Sequence, residues 1–143
     1  MRNYIFYFIY FILFSCSPQD SKIEDLKGNW YLQYQVKFED EYFELYINEE
    51  LIYYYSSQGM LKPLKYKIEN GELFVENRVS GKLENKGAIH YSNGVFTIEI
   101  FNEKISLLRI DNEPFVEDII KGRIKEKDYR NYFHKRYSKW LGE

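Results

Sequence analysis

The sequence predicts a mainly β protein, an up-and-down antiparallel barrel of eight strands followed by a C-terminal α-helical segment. Three observations carry that expectation. Between residues 28 and 110, apolar and polar residues alternate with period two, the pattern of strands with one buried face. Short turn signals separate the runs, and Asn70-Gly71 and Asn93-Gly94 suit two-residue hairpins, whose central positions both need positive φ. No helical period of useful length interrupts the runs, so the crossovers of a parallel sheet are not expected. Successive hairpins make a meander, and a meander with one apolar face closes most simply on itself.

The chain begins with Arg2 and an uncharged apolar run at residues 4–14. A bilayer span takes about 20 residues, so residues 1–15 read as a cleavable signal sequence. Leu13-Phe14-Ser15-Cys16 resembles the lipobox of bacterial lipoproteins. That resemblance implies diacylation (palmitate-type chains) of the Cys16 sulfur, cleavage before Cys16 and acylation of the new N-terminus. It also implies a lipid-anchored place in the bacterial cell envelope, at the outer membrane in preference to the inner. Cys16 is the single cysteine, so no disulfide framework is expected and packing alone must hold the fold. One fatty chain binds a membrane only marginally, at about 0.8 kcal/mol per buried methylene; three would make attachment effectively permanent. Residues 16–21 are short, polar and contain Pro18, as a tether between lipid and domain would be.

The net charge of the whole chain is −2. Removing residues 1–15 takes away Arg2 and no acid, so the mature chain is one unit more negative and nucleic acid is not an expected partner. The 15 Tyr and 11 Phe invite a ligand-stacking interpretation. Compositional bias accounts for them more simply, since the signal sequence shares it.

Strands are expected near residues 29–38, 42–48, 51–56, 63–69, 72–77, 81–91 (bent or split), 95–101 and 105–110. The bulky residues expected to point inward include Trp30, Tyr34, Phe43, Tyr54, Tyr66, Phe74 and Phe96. Gly28-Asn29-Trp30 opens the first strand, after a short helical turn, and Arg109 lies on the last. This arrangement resembles the lipocalins, in which a Gly-x-Trp of the first strand meets an arginine of the last at the closed end of the barrel. The resemblance covers residues 22–110 and a helix beyond, and it is nearer to compact lipocalin-like (calycin) domains than to large transport proteins. It implies that Trp30 plugs the closed end, that Gly28 gives room there, and that Arg109 stacks on the indole, a contact worth roughly 0.5–2 kcal/mol.

Strands of 6–7 residues tilted by about 40° give a wall only about 15 Å high. Short walls and bulky side chains together favour a largely filled core. A shallow ligand cup at one rim would be bounded by Tyr34, Phe43, Tyr54, Tyr66 and Phe96.

Residues 111–143 form the last region. Asp111-Asn112-Glu113-Pro114 is a helix-start signal, and a short helix over 115–121 is ended by Gly122. From about Lys125, residues Tyr129, Tyr132, Phe133, Tyr137, Trp140 and Leu141 fall on one helical stripe, opposite a basic face. Eight Lys/Arg against four Asp/Glu over 118–143 make this the cationic part of the molecule. The stripe is expected to dock on the outside of the barrel, covering outward residues such as Tyr31, Tyr53 and Tyr55. The competing expectation is an interfacial helix with its rings among lipid headgroups.

Neither a catalytic centre, a metal site nor a cofactor is expected. His90 and His134 have no Cys or second His at ligand spacing. The acidic run Glu39-Asp40-Glu41 lacks the glycine-punctuated alternation of a calcium loop. No nucleophile elbow or phosphate loop is present. Two function classes follow, neither of them enzymatic. The first is a membrane-anchored lipocalin-like lipoprotein that binds a small apolar molecule or lipid at the open rim. The second is an interaction or inhibitor-like lipoprotein with a solid barrel that docks an envelope protein. The volume inside the barrel discriminates between them.

Overall fold

Period-two alternation is realised as eight antiparallel strands: β1 (Gly28–Tyr34), β2 (Glu44–Ile47), β3 (Leu51–Ser56), β4 (Gly59–Glu69), β5 (Glu72–Glu76), β6 (Leu83–Ser92), β7 (Val95–Ile100) and β8 (Glu103–Arg109). The structure, a computed structural model, describes residues 26–34, 42–100 and 103–142. The expectations for the signal sequence, Cys16, the tether and the acidic run at 39–41 lie outside the described residues. Each strand pairs with its chain neighbours, and β8 returns to β1 in a register running from Trp30↔Arg109 to Tyr34↔Ile105. The result is a closed up-and-down barrel without a free sheet edge, compatible with a lipocalin-like fold.

Asn70 and Gly71, and Asn93 and Gly94, all take positive φ, as their two-residue hairpins require. One boundary shifts by several residues from the sequence expectation. The fourth strand begins at Gly59 rather than at Pro63, because the β3–β4 register shifts between Ile52 and Tyr54. Lys62 and Pro63 therefore stand together opposite Tyr53, and at such a bulge the missing proline N–H is tolerated. The expected bend of the sixth strand is a bulge as well: Lys86 and Gly87 face Leu73 in an otherwise continuous β6, with Gly87 at φ 104°.

The inward phase of β5 differs from expectation. Leu73 and Val75 face the core, whereas Phe74 points outward beneath the Lys67 ammonium, 4.9 Å from its ring centroid. Three apolar residues in a row leave the phase of this strand open in the sequence. Pairing settles it, since Phe74 is opposite outward-facing Lys67 and Leu73 is opposite Ile68.

Two hydrophobic clusters result. The inner one fills part of the barrel and includes Leu26, Trp30, Ile47, Leu73, Phe96 and Leu107. The outer one lies between the wall and the helices α1 (Val116–Ile120) and α2 (Glu126–Leu141), and includes Tyr42, Tyr55, Val116, Tyr129 and Phe133. Helix α1 starts where the Phe115 N–H donates to Asp118 Oδ2 at 2.7 Å, and it inserts fully buried Val116 against the wall. Helix α2 ends at Gly142 in the left-handed region. Its aromatic stripe docks on the barrel, with Tyr129 and Phe133 buried, Tyr137 and Trp140 half-buried, and Tyr31 and Tyr53 packed against the same cluster. Tyr132 is a correction to that stripe: it is 47% exposed. The helix turns Tyr129, Phe133 and Tyr137, each one turn apart, toward the barrel together with Arg136.

Candidate functional site

The first and last strands meet at the closed end. Trp30 is 1% exposed, and its Nε1 donates to the Leu26 carbonyl at 2.7 Å. The Arg109 guanidinium carbon lies 3.9 Å from the indole centroid, and Nη1 donates to the Lys27 carbonyl at 3.1 Å. Gly28, at φ +128°, is required twice over: a Cβ there would collide with Arg109 Nη1, and L residues rarely take that backbone conformation. Phe96 packs edge-on against the Trp30 ring with centroids 5.4 Å apart. The residues of the Gly-x-Trp and arginine pairing are thus together, and a ring pair completes the plug.

Above this plug the barrel holds a cavity of about 430 Å³ that opens to solvent. It runs from Leu26, Ile47 and Leu73 near the plug to Tyr34, Tyr54 and Val79 at the rim, and its middle is aliphatic, with Leu45, Ile52, Leu64, Val75, Ile98 and Leu107 on the wall. Polar side chains on the lining, Glu76, Asn77, Arg78 and Lys86, belong to the end of β5, the turn after it and β6. The sequence expectation of a largely filled core with a shallow aromatic cup is corrected here. Phe74 points away, and Trp30 and Phe96 pack edge to face at the closed end, so leucine, isoleucine and valine are left to line the middle.

The five aromatic residues expected at the cup are divided. Tyr34 and Tyr54 are on the cavity lining. Phe96 belongs to the plug. Tyr66 donates its hydroxyl to the Asn48 carbonyl at 2.6 Å, which holds it toward the closed end beside the β2–β3 turn. Phe43 packs against the inner cluster just before β2 without lining the cavity. Tyr54 brings a phenol to the cavity lining. Burial pushes its phenol up to about 12, partly opposed by the Arg78 guanidinium 5.5 Å from its ring.

The outer wall carries a wider, polar depression of about 580 Å³ over β1, β8, β7 and β6, lined by Gln33, His90, Thr97, Glu99, Lys104 and Ser106 among others. Glu99 and Lys104 are already paired at 2.9 Å, and His90 is exposed to solvent. Among the described residues, no group of three His, Cys, Asp or Glu side chains is placed to hold a metal ion, and no helix is long and apolar enough to cross a membrane.

One arrangement was not legible in the sequence. Glu44, the first residue of β2, is 0% exposed beneath α2. Arg136 holds it in a fork, Nε to Oε1 at 2.7 Å and Nη2 to Oε2 at 2.8 Å. Tyr42 donates to Oε1 at 2.8 Å, and the Tyr129 hydroxyl donates to Oε2. Arg136 Nη2 also donates to the Pro114 carbonyl at 3.2 Å, tying the linker before α1 to the same point. Burial, reinforced by the adjacent carboxylate, raises the Tyr42 and Tyr129 phenols far above the ordinary tyrosine range. Burial alone would lower the guanidinium of Arg136, but the Glu44 carboxylate more than reverses this. The network anchors a helix; it does not face the cavity.

Comparison with protein families, with curated proteins and with solved structures finds no match for this chain.

Proposed function

We propose that this protein is a lipid-anchored lipoprotein of the bacterial envelope whose lipocalin-like barrel binds one small, elongated apolar molecule, such as a single acyl chain. The cavity is the observation that carries this reading. Its volume of about 430 Å³ falls within the range of about 300–1,000 Å³ typical of small-molecule sites. An eight-stranded barrel is just wide enough to hold one such ligand. The aliphatic middle offers no directional polar contact, so shape and apolar area would select the ligand, at about 25 cal/mol per Å² buried. Polar groups are gathered toward the end of β5 and the turn after it, where a ligand's head would lie. Membrane anchoring rests on the Leu13-Phe14-Ser15-Cys16 motif.

Native mass spectrometry of the protein isolated from envelope tests the reading. It should show one co-purified apolar molecule per chain, released by mild activation. A chain with no bound small molecule, carrying a stoichiometric protein partner instead, would favour the solid-barrel alternative.

A further inference from the structure

The lip of the cavity has a feature that its interior does not explain. The turn between β5 and β6 is built around Asn77, whose Oδ1 accepts from the N–H groups of Val79 at 2.8 Å and Ser80 at 3.0 Å, while its carbonyl accepts from the Gly81 N–H at 2.9 Å. This geometry holds Val79 at the tip. It belongs to the cavity wall yet is 97% exposed. Leu83, where β6 begins, is 44% exposed.

Around these apolar side chains stand cations. Arg78 and Lys82 are exposed on the turn, and exposed Lys62 adjoins them, its carbonyl accepting from Arg78 Nη1 at 2.9 Å. The same lip also carries two acids, Glu76 and Glu84, and the cations outnumber them. Glu76 accepts from the Lys65 N–H at 3.1 Å, and Glu84 binds Lys86 at 3.0 Å and Asn77 at 2.7 Å. An exposed apolar tip ringed by Lys and Arg matches the interface of an anionic bilayer, with the tip among headgroups and the cations over phosphates.

We propose that the β5–β6 turn rests on an anionic lipid bilayer and that the cavity loads from the membrane through this lip. The proposal builds on the cavity as an apolar-ligand site. Charge complementarity and continuity with the mouth select the bilayer as the occupant, since a ligand suited to an aliphatic bore resides in membranes rather than in water.

The test places the full chain on vesicles of phosphatidylglycerol and phosphatidylethanolamine carrying brominated acyl chains, with Val79→Trp as reporter and the parent chain as background. Val79→Trp should show at least about twofold more quenching than the parent. Adding Lys82→Glu, or replacing the lipid with phosphatidylcholine, should remove the excess, since each basic side chain near such a surface is worth about a fivefold gain in partitioning. Quenching equal to the parent on anionic vesicles would overturn the proposal. So would a Val79→Trp signal that responds to an added envelope protein but not to lipid. A separate titration with a fluorescent acyl chain in the absence of vesicles reports on the cavity alone. Saturable binding without excess quenching rejects the lip and keeps the cavity; excess quenching without binding does the reverse.

Discussion

Arg136 of α2 and Glu44 of β2 form a two-pronged ion pair, at 2.7 and 2.8 Å, across a helix–barrel interface in which the carboxylate is completely shielded from water. The two residues are 92 apart in sequence, so the pair ties the C-terminal helix to the wall together with the aromatic stripe. A buried pair is costly to form, so its main consequence appears when it is broken: removing one partner typically costs 3–5 kcal/mol because the other charge stays buried.

Arg136→Ala should therefore destabilise the protein by about 3 kcal/mol or more, and by more than Glu44→Gln, which keeps an acceptor for the tyrosine hydroxyls. The paired replacement Glu44→Leu with Arg136→Met should recover only part of the loss, since it removes the unpaired charge but takes the acceptor from the buried Tyr42 and Tyr129 hydroxyls. Denaturant unfolding of the three variants and the parent gives the comparison.

The barrel was legible because its signals are local: alternation within each strand and asparagine–glycine at two turns. What depended on pairing was not. Leu73-Phe74-Val75 is apolar throughout, so only its partners on β4 decide that Phe74 faces out. With Phe74 counted inside, the sequence argues for a more completely filled barrel than the structure has. The bulges opposite Tyr53 and Leu73 are likewise features of two strands rather than one. On α2, the stripe was readable as an amphipathic face, but Glu44 looked like a solvated acid and Arg136 like part of a basic surface. Their burial follows from a contact between distant segments. The Trp30 and Arg109 pairing could be anticipated from a resemblance, not from periodicity.

The plug should behave as a unit. Trp30→Ala should cost about 3–5 kcal/mol, as large aromatic truncations in cores do, and Arg109→Ala about 0.5–2 kcal/mol. Gly28→Ala should be more harmful than its size suggests, because it strains the backbone and displaces the guanidinium. Additive losses in the Gly28→Ala/Arg109→Ala double variant, measured by thermal unfolding, would argue against a shared role.

Alkaline pH should unlock the helix. The Tyr42 and Tyr129 phenols are raised by burial above the ordinary value of 10.0, and Tyr54 is raised to about 12. Because the folded values exceed the unfolded one, the stability they contribute is complete below pH 10 and is lost as pH rises above it. Phenolate absorbance and circular dichroism should change together for these groups. Ionisation of all tyrosines near pH 10 with the fold intact would contradict their burial.

Cys16 should be the N-terminus of the mature protein and carry acyl chains. Mass spectrometry of the envelope form should show this modification, and Cys16→Ala should leave the precursor uncleaved or release the protein from the membrane. An unmodified Cys16 in mature protein would remove the basis for anchoring.

The cavity is tested most directly by filling it. Val75 lies on the aliphatic wall and is 7% exposed, so Val75→Phe would place a ring in the bore. Titration of the parent with an acyl-chain probe should give saturable binding of one molecule per chain. Val75→Phe should weaken it at least tenfold, about 1.4 kcal/mol, with the melting temperature largely preserved. Equal affinity in the two proteins would place the ligand outside the barrel, and no saturable binding to the parent would mean that the bore is not a ligand site.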